Sequence, residues 1–167
     1  AQALVNTHVA AAAAMLGWLL IEKLKAGHAT TLGAVSGAVA GLVAITPCAG
    51  FVSTSSALLI GLAAGAICYL SLALKNRFGF DDSLDVIAVH LIGGLIGSLL
   101  LGVFSDTSIN SLGADGLFNG GGSSLLGKQL LACGAVFAFS FGVTYIVAII
   151  INKTMGLRVT HDEEMVG

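Results

Sequence analysis

His90 is the only titratable group in the segment 86–104, VIAVHLIGGLIGSLLLGVF, whose other side chains are apolar or small. An imidazole suits a polar path through an apolar medium. One ring nitrogen donates while the other accepts, and the proton exchanges near neutral pH. Ionisable side chains inside a bilayer mark substrate or proton pathways by default. The competing reading is a neutral imidazole that hydrogen-bonds a neighbouring helix as a packing device. Val86, His90 and Gly94 follow at four-residue intervals and predict one shared helix face. A second stripe lies upstream, where Ser36, Val39, Val43 and Thr46 recur at spacings of three, four and three. That face is mostly apolar with a hydroxyl towards each end, as the wall of a narrow path with a polar station near each mouth. The alternative is that both hydroxyls bond back to carbonyls of their own helix.

Other chemistry finds few residues. An intramembrane enzyme needs a nucleophile–base or carboxylate pair within reach. Ser98 lies eight residues from His90, about 12 Å along a helix axis, and no Asp or Glu falls inside a span. Cys48, Cys68 and Cys133 lack ligand spacing, so neither a disulfide, a metal site nor a cofactor is expected. A purely structural membrane subunit is the remaining alternative, and His90 with the hydroxyl stripe argues against it.

The elements that position His90 start with carboxylates. Asp82 is placed to N-cap the helix, and Asp85 three residues on makes a carboxylate version of the capping box. A continuous helix from Asp82 puts His90 about 12 Å along its axis. In a hydrocarbon core ~30 Å thick, that is near the middle. Gly93 and Gly97 form a GxxxG that admits a close neighbouring backbone.

Composition sets the medium. The chain is 56% hydrophobic and 10% charged, against about 25% charged for a soluble domain, and its mean hydropathy is +0.98. It reads as an all-α polytopic membrane protein in contact with lipid. The net charge of -2, with no basic patch, gives no sign of nucleic-acid binding. The 23 glycines suit close packing between membrane helices.

Five apolar runs are long enough to span, at about 3–21, 32–46, 56–74, 86–104 and 130–151, with a tail at 155–167. Pro47, Cys48 and Ala49 are expected to extend the second span as an irregular end. Lys23, Lys25, Lys75, Arg77, Lys153 and Arg158 fall on one side, six of the seven basic residues. The positive-inside rule makes that side, and the C-terminus, cytoplasmic. The chain begins inside an apolar run and stops in a polar segment, so it reads as a fragment of a longer protein.

Near the outer end, Asn6, Thr7 and His8 are read as snorkelling or hydrogen-bonding across helices, with His8 structural or exposed. Trp18 and Glu22 are read as interface anchors at the other end. Gly33, Gly37 and Gly41 form a small-residue packing stripe, and Gly61 with Gly65 forms another. Asp106 and Asp115, in the long loop 105–129, are read as turn residues rather than an acid pair. Phe137, Phe139 and Phe141 are read as lipid-facing or packing bulk, not a stacking site.

Three stretches together resemble the ammonium transporter/Rhesus family, bacterial type. They are Ser36-Gly37-Ala38-Val39-Ala40-Gly41-Leu42-Val43 with Thr46-Pro47, then Asp81-Asp82 through Asp85-Val86 to Val89-His90, then Gly156-Leu157-Arg158-Val159. The resemblance implies eleven helices as two inverted five-helix repeats plus a last helix, in a homotrimer with one pore per subunit. This chain then corresponds to helices seven to eleven of a multi-pass protein of the plasma (inner) membrane. It implies that His90 is one of two pore histidines and that Val86, Ser36, Val39 and Thr46 line the same path. The other histidine, the outer recruitment site and its aromatic gate belong to helices outside these residues. The implied substrate is ammonium or ammonia, with methylammonium as analogue. Gly156, Leu157 and Arg158 begin the family's regulatory tail, and a PII-type regulator on the cytoplasmic side is the implied partner.

Overall fold

The computed structural model describes residues 1–79 and 81–166. Its elements are α1 (Gln2–Ala26), α2 (Thr31–Ile45), α3 (Thr54–Phe78), a π-helical stretch (Ile87–Ile92), α4 (Gly93–Phe104), a 3₁₀ turn (Leu117–Asn119), α5 (Ser124–Thr154) and α6 (His161–Val166). Four stretches are long and apolar enough to cross a membrane: Gln2–Ala26, Thr54–Lys75, Ile87–Phe104 and Ser124–Thr154. Thr31–Ile45 is a shorter apolar helix. The described chain is helical and polytopic. It divides into two compact units, Ala1–Leu130 and Leu131–Gly167.

In the first unit, α1 is the central helix, packing most extensively against α3 and α2. Glycine makes this possible. A Cβ at Gly37 would lie 2.6 Å from the Trp18 Cβ and 3.0 Å from the Met15 Cα. One at Gly41 would lie 2.5 Å from the Ala10 carbonyl oxygen, and one at Gly17 would lie 2.6 Å from that of Leu62. Gly61 and Gly65 sit equally tightly on the backbone of Ala10 and Ala14. Both stripes therefore face α1, from opposite partners. The core between the helices is made largely of small side chains, with Ala10, Ala44, Cys48, Ala57 and Ala64 all at 0% exposure. Such cores depend on close van der Waals contact, because lipid is as apolar as the interface.

Trp18 and Glu22 do not anchor an interface. Trp18 is buried, with its ring edge-on to Tyr69 at a centroid separation of 5.7 Å. Glu22 is buried because it has partners: Thr30 donates to its carboxylate through the backbone N–H at 3.1 Å and the hydroxyl at 2.8 Å. Thr30 Oγ1 in turn accepts from the Gly33 N–H at 2.9 Å and caps α2. The end of α1 thus fixes the start of α2. At the other end of α1, the buried Asn6 amide donates to the carbonyls of Ala49 and Val52 at 2.9 and 2.8 Å. Interhelical hydrogen bonds in membranes average about 0.6 kcal/mol, so these bonds serve register more than stability.

Beyond Ile45 the chain continues as tight turns. Cys48 and Ala49 both donate their N–H to the Ile45 carbonyl at 2.8 Å, while Pro47 brings no N–H. In the long loop, Asp106 accepts from the Ser108 N–H at 2.8 Å and Asp115 accepts from the Thr107 N–H at 2.7 Å. Both are turn-forming carboxylates.

In the second unit, aromatic side chains stack along α5. Phe137 and Phe141, then Phe141 and Tyr145, lie 6.3 Å apart in near-parallel pairs. The reading of these residues as bulk alone is corrected: four-residue spacing aligns the rings on one face. Gly156 lies just beyond α5: its φ of 82° suits glycine, and its N–H donates to the Ile151 carbonyl at 3.1 Å. The helix α6 has no counterpart in the sequence reading. Thr160 and Glu163 form its capping box, with the Thr160 N–H donating to Glu163 Oε2 at 2.9 Å. The Thr-x-x-Glu spacing was the available signal.

Candidate functional site

The site is built on the turn that carries His90. Asp82 sits before it, and its carboxylate accepts from the N–H groups of Val86 and Ile87 at 2.8 and 2.9 Å. These bonds, that of Ile87 foremost, hold its carboxyl below the ordinary carboxylate range, and the Lys75 charge adds to the effect. Asp85 does not take the capping-box position. Its carboxylate receives the Lys75 ammonium at 2.6 Å, and its φ is 56°. Residues 81–85 are not helical. The expectation of a continuous helix from Asp82, and the axial rise drawn from it, is therefore corrected. The reason is local: a left-handed residue interrupts a right-handed helix, and the Lys75 charge supplies a stronger partner than a backbone N–H.

His90 falls in the π-helical stretch, where carbonyls pair five residues on. Its imidazole is exposed and makes no hydrogen bond to any described residue. Val86 is 47% exposed, and a Cβ at Gly94 would meet nothing within 4 Å. Gly94 is thus not a packing glycine within this chain. Gly97 is: a Cβ there would collide with the Ala44 backbone, and its carbonyl accepts the Cys48 thiol at 3.1 Å. Gly93 makes ordinary contacts, with a Cβ there 3.5 Å from Val43 Cγ1 and from Cys68 Sγ.

The second stripe reaches the same region. Val39 and Val43 pack against the cluster of Trp18, Ala40, Cys68 and Val89, the residue before His90. The structure thus brings α2 to the flank of the π turn. The Thr46 hydroxyl donates to the Leu42 carbonyl at 2.7 Å. Its donor is spent within its own helix, and its oxygen lone pairs stay open. The Ser36 hydroxyl is half-buried and without a hydrogen bond to a described residue. Gly37 lies on the opposite side of α2, against α1. Leu157 is exposed and follows Gly156 in the second unit. Arg158 lies beside it in sequence, in the same unit. His8 is exposed, with Nδ1 2.9 Å from the Leu4 carbonyl, and serves its own helix. Among the described residues no group of three or more metal-ligating side chains comes together.

The π turn and the Glu22–Thr30 clamp escaped the sequence reading; hydrogen bonding by Asn6 was one of its expectations, and the bonds run to the Ala49 and Val52 carbonyls. A buried acid facing a threonine eight residues on has no short-range signature. The π register has none either.

A family model described as Ammonium Transporter Family matches residues 1–167. An ammonium transporter of Bacillus subtilis (strain 168) is 48% identical over 166 residues, covering 99% of this chain and 41% of that protein. One of Mycobacterium tuberculosis is 49% identical over 168 residues, covering 98% of this chain and 35% of that protein. The crystal structure of Saccharomyces cerevisiae Mep2 superposes with a TM-score of 0.89 at 36% identity, covering 96% of this chain and 37% of that one. The chain therefore spans well under half the length of the curated relatives it matches. Those relatives are named as transporters, not enzymes.

Proposed function

The chain belongs to the ammonium transporter family, and on that premise we propose that it forms the His90-bearing half of an ammonia-conducting path in the plasma (inner) membrane. The observation that carries this reading is the imidazole of His90, exposed and without a partner among the described residues, on an otherwise apolar span flanked by the Val39–Val43 face.

The physical argument concerns the permeating species. A bare ammonium ion in hydrocarbon pays a large desolvation penalty, whereas neutral ammonia needs only hydrogen-bond stations. An apolar wall of Val39, Val43 and Val86 excludes the hydrated cation and tolerates ammonia. His90 supplies one donor and one acceptor, and can pass a proton to a second imidazole from the rest of the protein. Ser36 and the free lone pairs of Thr46 serve as polar stations on the α2 side. Ammonium loses its proton before entering and regains one on leaving.

The same reading places the end of α1 and the Lys75–Asp85 region on the cytoplasmic side with the C-terminus. It assembles the full protein as a homotrimer. The test is uptake of labelled methylammonium by cells that lack their own ammonium transport and express the full-length protein. Uptake that saturates and competes with ammonium is expected; uptake no greater than in empty cells contradicts the reading.

The tail beginning at Gly156, Leu157 and Arg158 is proposed as the contact for a PII-type regulator. Deleting the residues beyond Val159 in the full-length protein is expected to leave transport intact and to abolish its shut-off when nitrogen becomes plentiful. If shut-off survives the deletion, the regulator binds elsewhere.

A further inference from the structure

Asp85 is the only non-glycine residue among those described with a positive φ. L side chains avoid that conformation, and it persists only where its surroundings over-determine it. Here they do. The Asp85 carboxylate lies 2.6 Å from the Lys75 ammonium, in the last turns of α3. The Asp85 carbonyl accepts from the Val89 N–H at 2.9 Å, and the Asp85 N–H reaches the Asp82 carbonyl at 3.4 Å. Asp82 meanwhile occupies the N–H groups of Val86 and Ile87. Every one of these bonds ends on the turn that winds into the π-helical stretch Ile87–Ile92, in which His90 sits.

A π turn holds one residue more than an α turn, and one residue corresponds to about 100° of rotation about the axis. The register of this stretch therefore decides which way the imidazole points. The His90 imidazole has no hydrogen bond among the described residues to settle the matter. The ion pair is partly exposed, at 29% for Lys75 and 21% for Asp85, so its contribution to overall stability is small. Its geometric effect is larger, because it ties the left-handed residue to α3.

We propose that the Lys75–Asp85 ion pair is a positioning device for His90: it holds Asp85 in the left-handed conformation, fixes the π register, and so sets the direction of the imidazole. What His90 does once aimed rests on the transport reading above; the positioning itself does not.

The test uses the full-length protein with its native cysteines replaced and a single His90→Cys substitution. The measured quantity is the rate at which that thiol reacts with a small water-soluble methanethiosulfonate. Lys75→Met is expected to change the rate by about fivefold, the response of a two-register element to a modest shift in population. Lys75→Arg is expected to restore it. Asp85→Gly accepts the left-handed backbone but lacks the carboxylate, so it is expected to match Lys75→Met and carries the test if that variant fails to fold. A thiol introduced by Leu58→Cys, early in α3, should be unaffected, whereas general loosening of the fold would alter both sites. Equal rates with and without the ion pair, including equal absence of reaction, overturn the proposal. Methylammonium uptake, measured with His90 intact, separates the two readings. A changed thiol rate with unchanged uptake keeps the positioning role and counts against the transport role of His90. Unchanged rates beside a transport-dead His90→Ala variant do the reverse.

Discussion

Full-length protein carrying His90→Ala is expected to reach the membrane in normal amount and to lose proton-coupled methylammonium transport by roughly a hundredfold, the low end of what a positioned proton-exchanging group contributes. Normal assembly is expected because the substitution breaks no bond among the described residues. The imidazole is exposed and makes no hydrogen bond to any described residue. The loss of transport follows from removing both a donor and an acceptor from a path with few polar stations. His90→Glu is the sharper companion. A carboxylate still exchanges protons but offers a negative site, so potassium is expected to begin to leak through. Wild-type current and selectivity in His90→Ala would make the residue a packing group.

Gly37→Leu is expected to remove folded protein altogether. A single added carbon would already sit 2.6 Å from the Trp18 Cβ and 3.0 Å from the Met15 Cα, and the latter is backbone that cannot rotate away. Ordinary overpacking costs about 1–3 kcal/mol. A leucine here must also part α2 from α1, and with it the Thr30 bonds to Glu22 that set the register of α2. The measurement is the yield of monodisperse protein after detergent extraction, compared with the wild type and with Gly37→Ala, which should be intermediate. Full yield from Gly37→Leu would mean that α2 and α1 do not approach through this glycine.

The helices and their packing glycines were legible because both leave periodic traces. Apolar runs mark the spans, and Gly33, Gly37 and Gly41 share a face whatever they touch. What they touch was not legible: periodicity shows a stripe, not its partner. Trp18 and Glu22 show the other limit. Their types and place near a span end fit an interface belt, yet tertiary contacts with Tyr69 and Thr30 bury both. Asp85 was misplaced for a related reason. Sequence spacing offered it a backbone N–H three residues back, while folding offered it an ammonium ten residues back on another helix. The π turn around His90 follows from that choice, so the residue was legible and its register was not. Thr46 lay between two readings, and its bond to the Leu42 carbonyl decides only the donor.

The most direct measurement of the central claim uses Val86, which is exposed in this chain and one turn before His90. In full-length protein with native cysteines replaced, Val86→Cys should conduct methylammonium until treated with a small water-soluble methanethiosulfonate, and then stop. Saturating ammonium should slow the modification. The same treatment of Leu58→Cys, exposed on α3 rather than on the α2 stripe, should leave uptake unchanged. If modified Val86→Cys protein conducts as before, this face does not line the path, and the account of His90 as a pore group is contradicted.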